Sequence, residues 1–184
     1  MILLRTYAVD GREHDKHASR EAFAECRAIY GNLAVELECA DAYDYWRHLE
    51  NAWHAPGSLV TVEQDVVVLP SHVRELEACP QPACVFAYDI YPLRGALVTP
   101  ECVHRGNWPG ESAPLGEGDE WASLVGLGCA RIRQELRESV VPTPAVPRVP
   151  WRELAGALCT RLDVLWHVHW PQVAHDHWPG ETVA

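Results

Sequence analysis

Two stretches of this chain carry chemically capable side chains where such side chains are costly to place. The first is Glu63-Gln64-Asp65, which interrupts an apolar run from Leu59 to Pro70. Val60, Thr61 and Val62 precede it, and Val66, Val67, Val68 and Leu69 follow, the composition of a strand buried on both faces. Carboxylates are expensive to bury unless they are paired or bind a metal. At the carboxyl end of a parallel strand they would face the crevice in which open α/β sheets bind ligands. Two hard oxygen donors there suit Mg²⁺ or Mn²⁺ bridging a phosphorylated substrate. The alternative is a strand that ends at Val62, with Glu63 and Asp65 solvated in a turn.

The second stretch is a histidine-rich tail, in which His167, His169, His175 and His177 alternate with Trp166, Trp170 and Trp178. Residues two apart on a strand share a face, so His167 pairs with His169, and His175 with His177 if that segment is extended. Three arrangements follow. A tail histidine completes a mixed Mn²⁺ site begun at Asp65. The tail forms an all-histidine zinc site. Or the histidines cap aromatic surface beside the tryptophans.

The elements that must position these groups are legible in order. Ile2, Leu3 and Leu4 open a short strand that runs through Thr6 and Tyr7 into a loop. Residues 19–30 read as a helix with Ala22, Phe23 and Cys26 on one face and Gly31 as its stop. Residues 33–38 form the next strand. Asp41 caps a helix through His54, where Tyr45, Trp46, Leu49 and Trp53 recur at helical spacing. Strand, helix, strand, helix, strand predicts an α/β domain with a parallel sheet, whose strand ends gather on one edge.

Beyond Pro70, a short helix capped by Ser71 and a buried strand over 83–88 are expected. Residues 91–118 read as a long irregular segment suited to a substrate loop. Residues 126–131 read as a strand, 133–139 as a helix, 140–150 as a proline-rich connector, 151–162 as an amphipathic helix and 164–170 as a strand. No internal repeat is present.

Composition narrows the partners. A chain of 184 residues holds one sizeable core, so residues 1–184 read as a single domain. The net charge of −11 argues against gripping a nucleic-acid backbone. No apolar run is long enough to span a membrane, and Ile2, Leu3 and Leu4 are too few for a signal-peptide core, so the expected location is the cytoplasm. The seven cysteines are odd in number and scattered, unlike a disulfide framework. Cys79 and Cys84 flank Pro80-Gln81-Pro82 and can meet across a turn, but their spacing is not that of a familiar zinc knuckle, so both read as buried thiols.

Taken in order, these parts resemble a small glycosyltransferase of the GT-A fold, similar to the family-two-like enzymes often encoded by bacteriophages and actinobacteria. The resemblance runs from about Leu33 to Trp178. It rests on the helix containing Tyr45 to Asn51, the acidic strand end Glu63-Gln64-Asp65, the stretch from Gly126 to Arg131 and the tail from His167 to His177. It implies a single GT-A-like, Rossmann-like α/β domain with a mostly parallel central sheet and flanking helices. Residues 1–70 would be its nucleotide-binding half and 71–184 its acceptor half.

The acidic triplet is similar to the family's DxD motif, although it begins with Glu rather than Asp. By that likeness Asp65 is the metal ligand, Glu63 lies nearer the ribose or sugar, and His175 or His177 supplies a third ligand. Thr6, Tyr7 and Asp41 would line the nucleotide pocket. Asp119, Glu120 and Glu153 compete for the acceptor-activating carboxylate, and Ala155 stands where the family leads one to expect an acid.

The implied reaction moves a sugar from a nucleoside diphosphate sugar to a hydroxyl acceptor on a protein, a modified DNA base or a small molecule. Mn²⁺ or Mg²⁺ would neutralise the departing diphosphate, and a carboxylate would take the acceptor proton. Arg94 or Arg105 could steady the diphosphate by forked hydrogen bonds. The rivals are a metal-dependent nucleotide hydrolase or nucleotidyltransferase, a catalytically inactive nucleotide- or glycan-binding module, and a zinc-stabilised structural protein built on the tail.

Overall fold

Strand β1 (Ile2–Ala8) lies inside the sheet, and its buried residues include Arg5 and Thr6 as well as Leu3 and Leu4. The computed structural model describes residues 1–8, 17–40, 42–88, 103–105, 113–114, 120–122, 124–125, 127–139, 164–171 and 173–174. At residues 8, 42, 43, 103–105, 113, 114 and 124 it describes the backbone alone.

Helix α1 (His17–Tyr30) buries Ala22, Phe23 and Cys26, the stripe expected from its spacing, and Gly31 at φ 57° ends it. Strand β2 (Ala34–Cys39) follows and pairs in parallel with β1. Helix α2 (Ala42–Trp53) buries Tyr45, Trp46, Leu49 and Trp53. Gly57, at φ 80°, then turns the chain so closely past Met1 that a Cβ would lie 2.6 Å from its nitrogen. Strand β3 (Leu59–Glu63) runs parallel to β1 on its other side.

Arg137 supplies donors to the carbonyls at and beyond the end of α2, where Ala52 O also accepts from Ala55 N at 3.1 Å. The buried guanidinium donates to Ala52 O at 3.3 Å, to Ala55 O at 2.9 Å, and to the carbonyls of Trp53 and Gly57. Trp53 Nε1 donates back to Arg137 O at 3.0 Å. Arg137 belongs to α4 (Gln134–Glu138), so this contact joins helices far apart in sequence.

Helix α3 (Pro70–Ala78) starts differently from expectation. Pro70 takes the first helical position, where a missing N–H costs nothing, and Leu69 is the N-cap, its amide donating to His72 Nδ1 at 3.1 Å. Ser71 is therefore inside the helix and is not the cap.

The remaining strands are β4 (Ala83–Phe86), β5 (Val103–Arg105), β6 (Ala113–Pro114), β7 (Trp121–Ala122), β8 (Leu124–Val125), β9 (Cys129–Ile132) and β10 (Trp166–His169). Seven strands form one sheet in the order β2-β1-β3-β9-β4-β10-β7, and β6-β5-β8 form a second. The expected mostly parallel sheet is corrected to a mixed one. Three pairings are parallel, β1 with β2, β1 with β3 and β4 with β10. Five are antiparallel, counting both sheets. The physical cause is β9, which inserts between β3 and β4 and meets both head to tail. Even so, β1, β2, β3, β4 and β10 point the same way, so their carboxyl ends share one edge.

Two further expectations change. The segment read as an irregular loop contributes the strands β5 and β6. The strand expected over 126–131 is broken, with β8 ending at Val125 and β9 starting at Cys129. The connector over 140–150 and the helix over 151–162 lie outside the described residues. Among the described residues, no helix is long and apolar enough to cross a membrane.

Candidate functional site

The acidic triplet sits on the edge where the parallel strands end. Strand β3 includes Glu63, and Gln64 and Asp65 form the turn after it, so the continuous strand to Leu69 does not form. The solvated alternative is also corrected. Glu63 is only partly exposed, and burial, then the nearby Asp65 carboxylate, push its pKa up to about 8, against a smaller lowering by Tyr88. At neutral pH the two carboxyls together thus carry less than two full charges.

The turn is held from behind by groups the sequence reading did not single out. Arg5, fully buried, donates from Nη2 to the Gln64 carbonyl at 3.0 Å, and Ser19 Oγ donates to the same carbonyl at 2.5 Å. Arg5 also pairs with Glu36 Oε1 at 2.5 Å, and Arg27 reaches the other Glu36 oxygen at 3.1 Å. A carbonyl engaged by two donors cannot swing, which fixes the peptide between the two acids. The signal was available: Arg5 is a charge in an apolar strand, the same anomaly that marks Glu63 and Asp65.

A second brace comes from the residues just after β4 and just before β9. Tyr88 Oη donates to Glu63 Oε2 at 3.4 Å and accepts from the Gly128 amide at 3.1 Å. Gly128 O in turn accepts from the Glu63 amide at 3.1 Å. A Cβ at position 128 would lie 2.5 Å from Tyr88 Oη, so only glycine lets the ring approach. Tyr45 of α2 also feels this carboxyl: burial first and the Glu63 carboxylate second raise its hydroxyl pKa well above the ordinary value.

The chain after β10 returns to this edge. Val173 N donates to Ala87 O at 2.9 Å, and Val67 N donates to Ala174 O at 2.8 Å. Ala174 directly precedes His175, and Val67 lies two residues beyond Asp65.

Of the other expected site residues, Thr6 is buried and in register with Glu63 on the neighbouring strand. Tyr7 donates to Glu38 Oε2 at 3.3 Å, with the Arg5 guanidinium 5.9 Å from its ring centre. Glu120 is not brought to the site. Its carbonyl accepts from Val168 N at 2.9 Å beside the outer strand β7, four strand spacings or about 19 Å from β3. Asp41, Arg94, Asp119, Glu153, His175 and His177 lie outside the described residues, and Arg105 is described by its backbone alone.

The histidines of β10 are engaged elsewhere. His167 and His169 share a face as expected, with His167 Nδ1 3.4 Å from His169 Nε2. Both lie beneath α3, where His169 Nδ1 meets Glu75 Oε1 at 2.8 Å and His167 Nδ1 meets Cys79 Sγ at 3.4 Å. Among the described residues, Cys26, Cys39, Cys79, Cys84 and Cys129 are buried.

No family model matches the sequence, and no curated protein matches it. The fold is similar to that of a solved structure, A197 from STIV, at a TM-score of 0.51 and 17% sequence identity, covering 92% of this chain and 82% of that one. At such identity the likeness concerns the fold alone. The chain is an α/β protein whose mixed seven-stranded sheet presents a braced pair of acids on the edge where five strands end.

Proposed function

We propose that the protein is a metal-dependent glycosyltransferase, moving a sugar from a nucleoside diphosphate sugar to a hydroxyl acceptor with inversion, in a GT-A-like domain. The observation that carries this reading is the bond from the Val67 amide to the Ala174 carbonyl. It ties the chain entering His175 to within two residues of Asp65, as a mixed carboxylate and histidine site requires.

The donor set fits a hard divalent cation. Asp65 and Glu63 offer oxygens on a turn clamped by Arg5 and Ser19, and Glu63 holds a proton that a cation would displace. Asp65 with His175 or His177 would hold the metal, and Glu63 would face the ribose or sugar. Mn²⁺ or Mg²⁺ bound there would offset charge on the leaving diphosphate. Thr6, Tyr7 and Asp41 would line the nucleotide side, and Arg94 would contact the diphosphate. Of the three candidates for the acceptor base, Glu153 is preferred, because Glu120 is about 19 Å away across the sheet and Asp119 is its neighbour in the chain.

That remoteness of Glu120 favours one second reading, a catalytically inactive nucleotide- or glycan-binding module. Both readings require the donor site, and turnover separates them.

The test is thermal stability against a panel of nucleotides and nucleotide sugars, with and without Mn²⁺, in the wild type and in Asp65→Ala. One nucleoside diphosphate should stabilise the wild type only when Mn²⁺ is present, and the mutant should lose the shift. Absence of any nucleotide shift in the wild type overturns both the transferase and the nucleotide-binding module.

A further inference from the structure

The end of α3 and the strands β4 and β10 bring together a second group of metal-capable side chains, separate from Glu63 and Asp65. Cys79 Sγ, Cys84 Sγ and a ring nitrogen of His169 all lie within 4.8 Å of one another. His167 Nδ1 adds a fourth donor, 3.4 Å from Cys79 Sγ and 3.4 Å from His169 Nε2. We propose that Cys79, Cys84, His167 and His169 form a structural zinc site that ties the C-terminal end of α3 to β4 and β10.

The geometry is compatible with a tetrahedral zinc. With Zn–S near 2.3 Å and Zn–N near 2.0–2.1 Å, the edges of a tetrahedral site are about 3.8 Å for S to S, about 3.5 Å for S to N and about 3.4 Å for N to N. The two edges through His167, both 3.4 Å, match the mixed and the nitrogen edges. Cys79 Sγ, Cys84 Sγ and a ring nitrogen of His169 lie within 4.8 Å of one another, about 1 Å beyond closure, and the strand pairing places His167 in register with Cys84.

The surroundings are those of a ligand set. His169 Nδ1 is held by Glu75 Oε1 at 2.8 Å, which leaves Nε2 directed at the cluster, the carboxylate–histidine arrangement that orients metal-bound imidazoles. The backbone at Cys79 is fixed by Arg131 Nη2 at 2.9 Å and Arg133 Nη2 at 2.7 Å, both donating to its carbonyl. The buried Arg131 also favours the ionised form of Cys84, against burial, which raises that thiol to about 12 without metal. Two thiolates and two imidazoles make a closed set of soft and borderline donors, suited to a structural zinc and unlike the oxygen donors of the acidic turn. Because the thiols must ionise, zinc binding here releases protons.

The experiment is Co²⁺ substitution of the full chain, read by the thiolate-to-cobalt charge-transfer band. The wild type should show the band at one equivalent. Cys79→Ser and Cys84→Ser should lose it, and Asp65→Ala should keep it, which separates this site from the acidic one. No thiolate band in the wild type, or a band that survives both cysteine substitutions, overturns the proposal. Should those variants fail to fold, X-ray absorption on the zinc-loaded Cys102→Ser/Cys159→Ser chain decides. Two sulfur ligands at about 2.3 Å support the site, and a shell of nitrogen and oxygen alone overturns it.

Discussion

Arg5 of β1 donates to the carbonyl of Gln64 at 3.0 Å, so a buried cation in the first strand fixes the peptide between the two acids of the third. The same guanidinium is paired with Glu36 of β2, which ties three adjacent strands together at the edge of the sheet.

Replacing Arg5 with Met should therefore do two things. It leaves Glu36 with its Arg27 contact and removes one of the two donors to the Gln64 carbonyl, at a cost of about 2–4 kcal/mol. Urea denaturation should show a lower midpoint with an unchanged slope. Any nucleotide- or Mn²⁺-dependent stabilisation should weaken as well, since Glu63 and Asp65 lose their common frame.

Glu63 makes stability depend on pH. Its carboxyl titrates near 4.5 when unfolded and is pushed up to about 8 in the fold. The folded state thus holds the extra proton between those values. Its contribution is fully present below about pH 4.5 and is lost as pH rises through about 8. In chelator-containing buffer the loss should be on the order of 2–4 kcal/mol, and Glu63→Gln should flatten this part of the profile. An identical profile in the mutant would sink the assignment.

Tyr88 and Gly128 form one unit with that carboxyl. The Tyr88 hydroxyl opposes the rise in the Glu63 pKa, so Tyr88→Phe should move Glu63 titration further up, as followed by NMR of the side-chain carboxyl. Gly128→Ala adds a methyl 2.5 Å from Tyr88 Oη and should cost about 1–3 kcal/mol while displacing the ring. Because the ring carbon Cζ, 2.4 Å from the added methyl, remains in phenylalanine, Tyr88→Phe should recover little of that loss and Tyr88→Ala more of it in a double-mutant cycle.

Arg137 closes the end of α2. Truncation to Ala removes the guanidinium that donates to the carbonyls of Ala52, Trp53, Ala55 and Gly57 in a partly buried setting. The expected loss is about 2–4 kcal/mol in thermal or chemical denaturation. Arg137→Lys should restore little of it, because an ammonium cannot spread its donors over that fan of acceptors.

How much of this could be read from the sequence depends on the range of the interaction involved. The helices α1, α2 and α3 were legible to within two or three residues at either end, because helical spacing and the stops at Gly31 and Pro56-Gly57 act locally. The shared face of His167 and His169 follows from the two-residue period of a strand. The anomaly of Glu63 and Asp65 in an apolar run was equally plain, and it marked the strand end. What covers that end was not legible. Tyr88, Gly128 and the Arg5 clamp reach Glu63 and Gln64 across separations of 25 residues or more.

The order of the strands is likewise a product of tertiary packing. Nothing local in Cys129–Ile132 says that it enters the sheet antiparallel between β3 and β4, because pairing partners are chosen by how two apolar faces are covered. For the same reason Cys79 and Cys84 looked like isolated thiols. Their partner imidazoles lie more than eighty residues further on, and only the parallel pairing of β10 with β4 sets His167 beside Cys84 and His169 beside Phe86. The chain by itself determined which residues are chemically capable and which local elements carry them. The sheet decided which of those residues meet, since contacts between distant segments depend on strand order and facing, which no local pattern encodes.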